Sequence, residues 1–183
     1  MTEIKRRSFL GIALAAIPLA ARAESAVEDG QGKAVYVRAG EDRTGTHKTL
    51  GISTIDFKVT SADSGGAMLV IENTNRGKGG PARHLHVDQD ELFYVIEGEY
   101  AIEVGGERFA LRSGDSILAP RQVPHVWAYV GETRGRLLIS FTPPGKMEAF
   151  FREVSKTNAM PMQDPRLWRE HGMELLGPPL VLD

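Results

Sequence analysis

The sequence predicts an all-β domain, an antiparallel sandwich or barrel followed by a short helical segment. Three observations lead there. Between Thr49 and Thr142, short runs of alternating or β-branched residues recur, separated by Gly-rich turn clusters. No stretch of that region has a strong 3.6-residue period. Beyond Pro143-Pro144-Gly145, by contrast, Met147, Phe150, Phe151 and Val154 recur at helical spacing.

The elements follow in order. Residues 24–45 are polar and Gly-rich, a loose lead-in with one short alternation, Ala34-Val35-Tyr36-Val37, read as a strand. Strands are expected at 50–60, 66–73, 83–87, 91–97, 99–104, 107–112, 116–119, 124–130 and 135–142. Turn residues separate them, among them Ser61 to Gly65, Gly77 to Pro81, Gly105-Gly106 and Ser113-Gly114-Asp115. A barrel over 46–142 and a helical extension over 143–183 is the simplest division. One helix is expected over Lys146–Ser155. A second runs near Pro165 to His171, with Pro165 in its first turn and Gly172 just past its end. The tail around Gly177-Pro178-Pro179-Leu180 is too Pro-rich to be regular.

The chain of 183 residues is 42% hydrophobic and 25% charged, enough for one domain with a real core. It has no cysteine. A disulfide framework, an iron–sulfur cluster, a thiolate zinc site and a cysteine nucleophile are therefore excluded. A formal net charge of −2 gives no reason to expect nucleic acid as a partner. Residues 1–23 have the layout of an export signal: Lys5, Arg6 and Arg7, an apolar run from Phe9 to Ala21, then Ala21-Arg22-Ala23. Arg6-Arg7 before Ser8-Phe9-Leu10 resembles the twin-arginine signal, which routes folded proteins. The expectation is an exported, periplasmic or extracellular protein that meets the export machinery through this segment.

The chemistry lies between Pro81 and Pro124. His84 and His86 are two apart in an extended run, so both point to one face. Val87-Asp88-Gln89-Asp90 can turn the chain and bring Glu91 beside them. His125 follows Pro120 and Pro124 on another strand. Three imidazoles and a carboxylate are a ligand set for a divalent transition metal, with open positions left for water, dioxygen or substrate.

This spacing resembles the cupin superfamily. Its first motif is matched by His84-x-His86, four residues, Glu91, six residues and Gly98. Its second is matched by Gly114, five residues, Pro120 and then His125. Gln122 stands where that motif has Gly, and Tyr129 where it has Asn. Fifteen residues separate Gly98 from Gly114, a gap similar to that of microbial cupins. The resemblance covers about residues 46–142. It implies an antiparallel jelly-roll cupin barrel with the metal inside, and frequent homodimers. Metal identity stays open among iron, manganese, nickel, cobalt, copper and zinc.

Trp127 and Tyr129 share the parity of His125, and Phe93 and Val95 that of Glu91. Phe93, Trp127 and Tyr129 are thus candidate walls of a small-molecule substrate pocket, although barrel core is an equal reading. Phe57 and Met68 are expected to face inward from neighbouring strands. His47 and His171 lie outside both motifs and are expected in solvent. Arg76-Gly77-Lys78-Gly79-Gly80 lacks the residues of a phosphate loop and is expected as a mobile loop at the barrel mouth.

Within the superfamily the chain resembles single-domain proteins similar to quercetin 2,3-dioxygenase. Besides the metal motifs, Phe150-Phe151-Arg152-Glu153 and the ending Gly172 to Pro179 carry that likeness. It implies a metal-dependent dioxygenase acting on an enolisable or phenolic substrate. Glu91 would be both ligand and general base. The competing class is a metal-binding or small-molecule-binding module without turnover.

Overall fold

Alternation of apolar and polar side chains folds the chain into two antiparallel sheets facing one another across a shared core. The structure is a computed structural model and describes residues 33–182. The export signal read at 1–23 lies outside the described residues.

The strands are β1 (Lys48–Leu50), β2 (Ser53–Val59), β3 (Leu69–Asn75), β4 (Ala82–His86), β5 (Asp90–Glu97) and β6 (Glu99–Val104). They continue with β7 (Glu107–Arg112), β8 (Ser116–Ala119), β9 (His125–Tyr129), β10 (Gly135–Thr142) and β11 (Met173–Pro179). Between β10 and β11 lie α1 (Met147–Val154), a 3-10 turn (Ser155–Thr157) and α2 (Pro165–Glu170). One sheet runs β1-β2-β3-β10-β5-β8 and the other β11-β4-β9-β6-β7. This is the all-β jelly-roll barrel expected of a cupin fold, with its short helical segment.

The period of two is clearest in β5. Glu91, Phe93 and Val95 are buried, while Leu92 and Tyr94 are each 43% exposed. The core between the sheets is aromatic and aliphatic, with Phe57, Ile71, Phe93, Ile102, Leu137 and Phe141 among its buried members.

The structure departs from the expected elements at four places. The run 50–60 is split, because Gly51 at φ +58° lets a two-residue turn pair Leu50 with Ser53. Ala34–Val37 forms no strand; its burial alternates, but no strand among the described residues pairs with it. Met68 is 39% exposed and sits before β3, whereas Phe57 is fully buried.

The Pro-rich ending is the fourth. It forms β11, antiparallel to β4, with Met173 opposite His86 and Leu175 opposite His84. The pairing slips between Leu175 and Gly177 and again between Gly177 and Pro179. β11 is an edge strand, where a residue without an N–H is tolerated at an irregularity.

The helical segment also differs in place. The helix around Phe150 and Phe151 was expected to pack on the outside of the barrel. Met147, Phe150, Phe151, Val154 and Trp168 instead join the main core and close one end of the barrel as a cap. Asp164 caps α2 by accepting from the Arg166 N–H, with Pro165 at the first turn.

Candidate metal centre

β4 buries Ala82, His84 and His86 and turns Arg83 and Leu85 outward. β9 lies beside β4 in register His84↔His125, so the third imidazole arrives directly opposite the first. Residues 87–89 carry the chain from this sheet to β5 in the other sheet. Glu91 therefore faces the histidines across the barrel interior. The loop before His125 is tied to the same place, since the Gln122 N–H donates to His86 O at 2.7 Å.

His84, His86, Glu91 and His125 are all buried, and each offers a ligand atom within 4.8 Å of the others. Glu91 Oε2 lies 3.0 Å from His86 Nε2 and 2.9 Å from His125 Nε2. His84 Nδ1 lies 2.7 Å from Ala82 O, and His125 Nδ1 lies 3.0 Å from Val123 O. A carbonyl can only accept, so both Nδ1 atoms carry hydrogen and both Nε2 atoms are left for the centre. This is the tautomer that a metal-ligating histidine needs. Among the described residues, His86 Nδ1 is buried without a hydrogen-bond partner.

The electrostatics agree. Burial alone would push the Glu91 carboxyl up, but hydrogen bonds from His125 and His86 outweigh it and hold Glu91 well below the usual carboxylate range. Burial and the two neighbouring imidazoles push His84 well down, so it presents a lone pair. Burial would also lower His125, but the Glu91 carboxylate raises it. A neutral His125 would set its Nε2 lone pair against the Glu91 oxygen. A positive charge between these groups relieves that repulsion, and a divalent metal held by all four side chains could supply it. Mixed imidazole and carboxylate ligation fits several first-row metals without choosing among them.

The centre opens on a cavity of about 60 Å³, which His84, His86 and Glu91 help to line. Barrel residues Ile71, Trp127, Ile139 and Phe141 form its sides. Met147, Phe150, Phe151, Met160 and Trp168 close it from the cap. Ser53 and Asn73 add polar groups.

Of the expected pocket residues, only Trp127 lines this cavity. Phe93 points inward but packs behind the centre, its ring 6.2 Å from His125 and 6.4 Å from Trp127. Tyr129 is at the other end of β9. Its ring meets Tyr100 at 5.4 Å, and its hydroxyl accepts from the Thr133 N–H. Parity chose the inner face correctly for both; depth along the strand put them in the core.

The remaining histidines divide. His47 is half exposed and sits 2.5 Å from Asp56 Oδ1. His171 is half-buried, contrary to expectation. Its ring lies 5.4 Å from Phe150 and its Nδ1 donates to Leu167 O. The Gly-rich loop is also tied down, because Gly79 exchanges backbone hydrogen bonds with Tyr129. A Cβ on Gly80 would lie 1.9 Å from the Trp127 carbonyl oxygen, so only glycine allows this approach beside the pocket. Gln122 stands at φ +63°, the left-handed conformation that explains the motif's glycine.

Residues 71–141 match the family model described as Cupin domain, and all four ligand-type residues lie within them. Among curated proteins, the chain is 30% identical over 61 residues to the uncharacterized protein MJ1618 of Methanocaldococcus jannaschii. That alignment covers 33% of this chain and 49% of the other. It is 29% identical over 62 residues to the polyketide synthase CurC of Streptomyces cyaneus, covering 34% and 40%. The chain thus spans about half the length of the curated relatives it matches. Among solved structures, KdgF from Halomonas sp. is 22% identical with a TM-score of 0.45, covering 50% of this chain and 79% of that one.

Proposed function

We propose that this cupin domain is a metal-dependent dioxygenase-like oxidoreductase acting on a small enolisable or phenolic substrate. The observation that carries the reading is the buried convergence of His84, His86, Glu91 and His125 beside an apolar cavity. In this reading the four side chains hold one divalent transition metal. Such an ion supplies Lewis acidity toward a substrate oxygen and, if redox-active, exchanges electrons with dioxygen.

The chain's own groups define the rest. Ala82 O and Val123 O keep His84 and His125 in the ligating tautomer. Glu91 spends only Oε2 on hydrogen bonds among the described residues. Its Oε1, left out of those hydrogen bonds in a side chain that lines the cavity, is the group placed to take a substrate hydroxyl proton. Apolar walls hold the substrate carbon skeleton and exclude bulk water. Residues 1–23 are read as a signal that exports the folded chain to the periplasm or beyond.

One observation favours a second reading. A cavity of about 60 Å³ is small for turnover of a ring compound, which suits a metal-binding module without catalysis. Oxygen uptake separates the two readings. Protein isolated from the exported fraction and loaded in turn with iron, manganese, nickel, cobalt and copper is offered flavonols, simple phenols and short enolisable ketones. Uptake with one metal and one substrate class, abolished by Glu91→Gln, supports the oxygenase. Stoichiometric metal without uptake across the panel supports the binding module.

A further inference from the structure

We propose that Trp168 determines which ligands the centre admits, limiting them to compact molecules smaller than a benzene ring while the cap is closed. This deepens the metal-centre reading and rests on it; of the substrates proposed above it favours the small enolisable ones over phenolic rings. A cavity near 150 Å³ is what accommodates benzene in a protein interior. The cavity here is about 60 Å³.

Trp168 is the cap residue that faces a ligand directly. It is 1% exposed, and its ring lies 5.0 Å from the His84 ring and 5.4 Å from Phe150. The indole thus occupies space beside the metal ligands that a larger substrate would need. It also has a second task. Its Nε1–H donates to Met162 O at 2.8 Å. Among the described residues, no backbone–backbone hydrogen bond outside regular elements involves residues 159–163. Yet Met160 and Pro161 from that stretch line the cavity. The ring is therefore a wall, and the N–H is the pin that holds the adjoining wall segment in place.

The lining also states the class of ligand. Among the described residues, Glu91 is the only acid that lines the cavity, and no Lys or Arg lines it. A bound molecule would place its charge on oxygens directed to the metal and keep an uncharged body against Trp168 and Phe150. A ring-sized substrate needs the 159–163 stretch to swing away and Trp168 to move with it.

The test uses full-length protein loaded with cobalt(II), whose visible absorption reports ligation, and two hydroxamates with the same head. Acetohydroxamate has a methyl body and benzohydroxamate a phenyl. Unaltered protein should favour acetohydroxamate by at least about tenfold, since a closed apolar pocket discriminates steeply by size. Trp168→Ala should abolish or reverse that preference. Trp168→Phe keeps the ring and removes the pin; it should retain the preference while both ligands dissociate faster in stopped flow. Equal binding of both probes to unaltered protein overturns the proposal. So does an unchanged preference in Trp168→Ala with cobalt bound, and if that variant does not fold, unchanged dissociation rates in Trp168→Phe do the same. Cobalt is counted independently, so its absence from unaltered protein overturns the metal reading, and the size limit with it.

Discussion

Replacing Asp42 with Asn should destabilise the protein by about 3–5 kcal/mol, although Asp42 is far from the centre in sequence. Its carboxylate is buried at 6% exposure in the loop before β1. Oδ2 accepts from Lys48 Nζ and from the Phe57 N–H, each at 2.7 Å. Oδ1 accepts from the Thr44 N–H at 2.7 Å and the Thr44 hydroxyl at 2.6 Å. Lys48 is itself 5% exposed, and its ammonium lies 4.1 Å from the centroid of the Phe57 ring. Asn turns one acceptor into a donor facing other donors and leaves a buried cation without its counter-ion. Phe57 packs on Phe151 in the cap at 6.5 Å, so the damage reaches the cavity wall.

The pH dependence gives an independent magnitude. Burial would raise the Asp42 carboxyl, but hydrogen bonds from Lys48, Thr44 and the Phe57 backbone outweigh it and hold it at about 2. A folded value depressed from 3.8 stabilises the fold above the unfolded value, by about 2.5 kcal/mol at neutral pH. That contribution is lost as pH falls from about 4 to about 2. Urea unfolding of both proteins from pH 7 down to pH 2.5 tests this. The difference should be largest at neutral pH and shrink on acidification. A difference below about 1 kcal/mol at pH 7, or one independent of pH, would refute the clasp.

Three further outcomes are expected. Glu91→Gln keeps shape but removes the charge, so metal affinity measured by competition with a chelator should fall, and any turnover should fall further. Truncation after Pro144 removes Met147, Phe150, Phe151, Val154, Trp168 and Met173, all buried. At about 2 kcal/mol each, this rivals the 5–15 kcal/mol stability of a whole domain, so the product should be insoluble or unfolded by circular dichroism. Gln122→Gly relieves a left-handed non-glycine residue and should stabilise by up to about 1 kcal/mol in thermal unfolding.

Much of the barrel was legible because its strands are half-buried and its turns carry glycine. The period of two places Glu91, Phe93 and Val95 on the inside without further information. The ligand-type residues were legible as spacing: an alternating His84 and His86, a turn of fixed length to Glu91, and a His125 that follows Gly114, Pro120 and Pro124. What stayed hidden depends on partners distant in sequence. Alternation at Ala34–Val37 does not make a strand without a neighbour. Two prolines in β11 looked irregular because only the sheet order reveals that this strand lies at an edge. The period of α1 told which face is buried and not against what, so the cap over the centre was missed. Asp42 and Lys48 gave no signal, since a buried ion pair in a loop has no periodicity.

The central claim is that four side chains form one metal centre. Its most direct measurement is elemental analysis of the purified protein beside the His84→Ala, His86→Ala double variant, both shown to be folded by circular dichroism. The account predicts about one transition metal per chain in the unaltered protein and nearly none in the variant. A folded double variant that keeps its full complement of metal would contradict it.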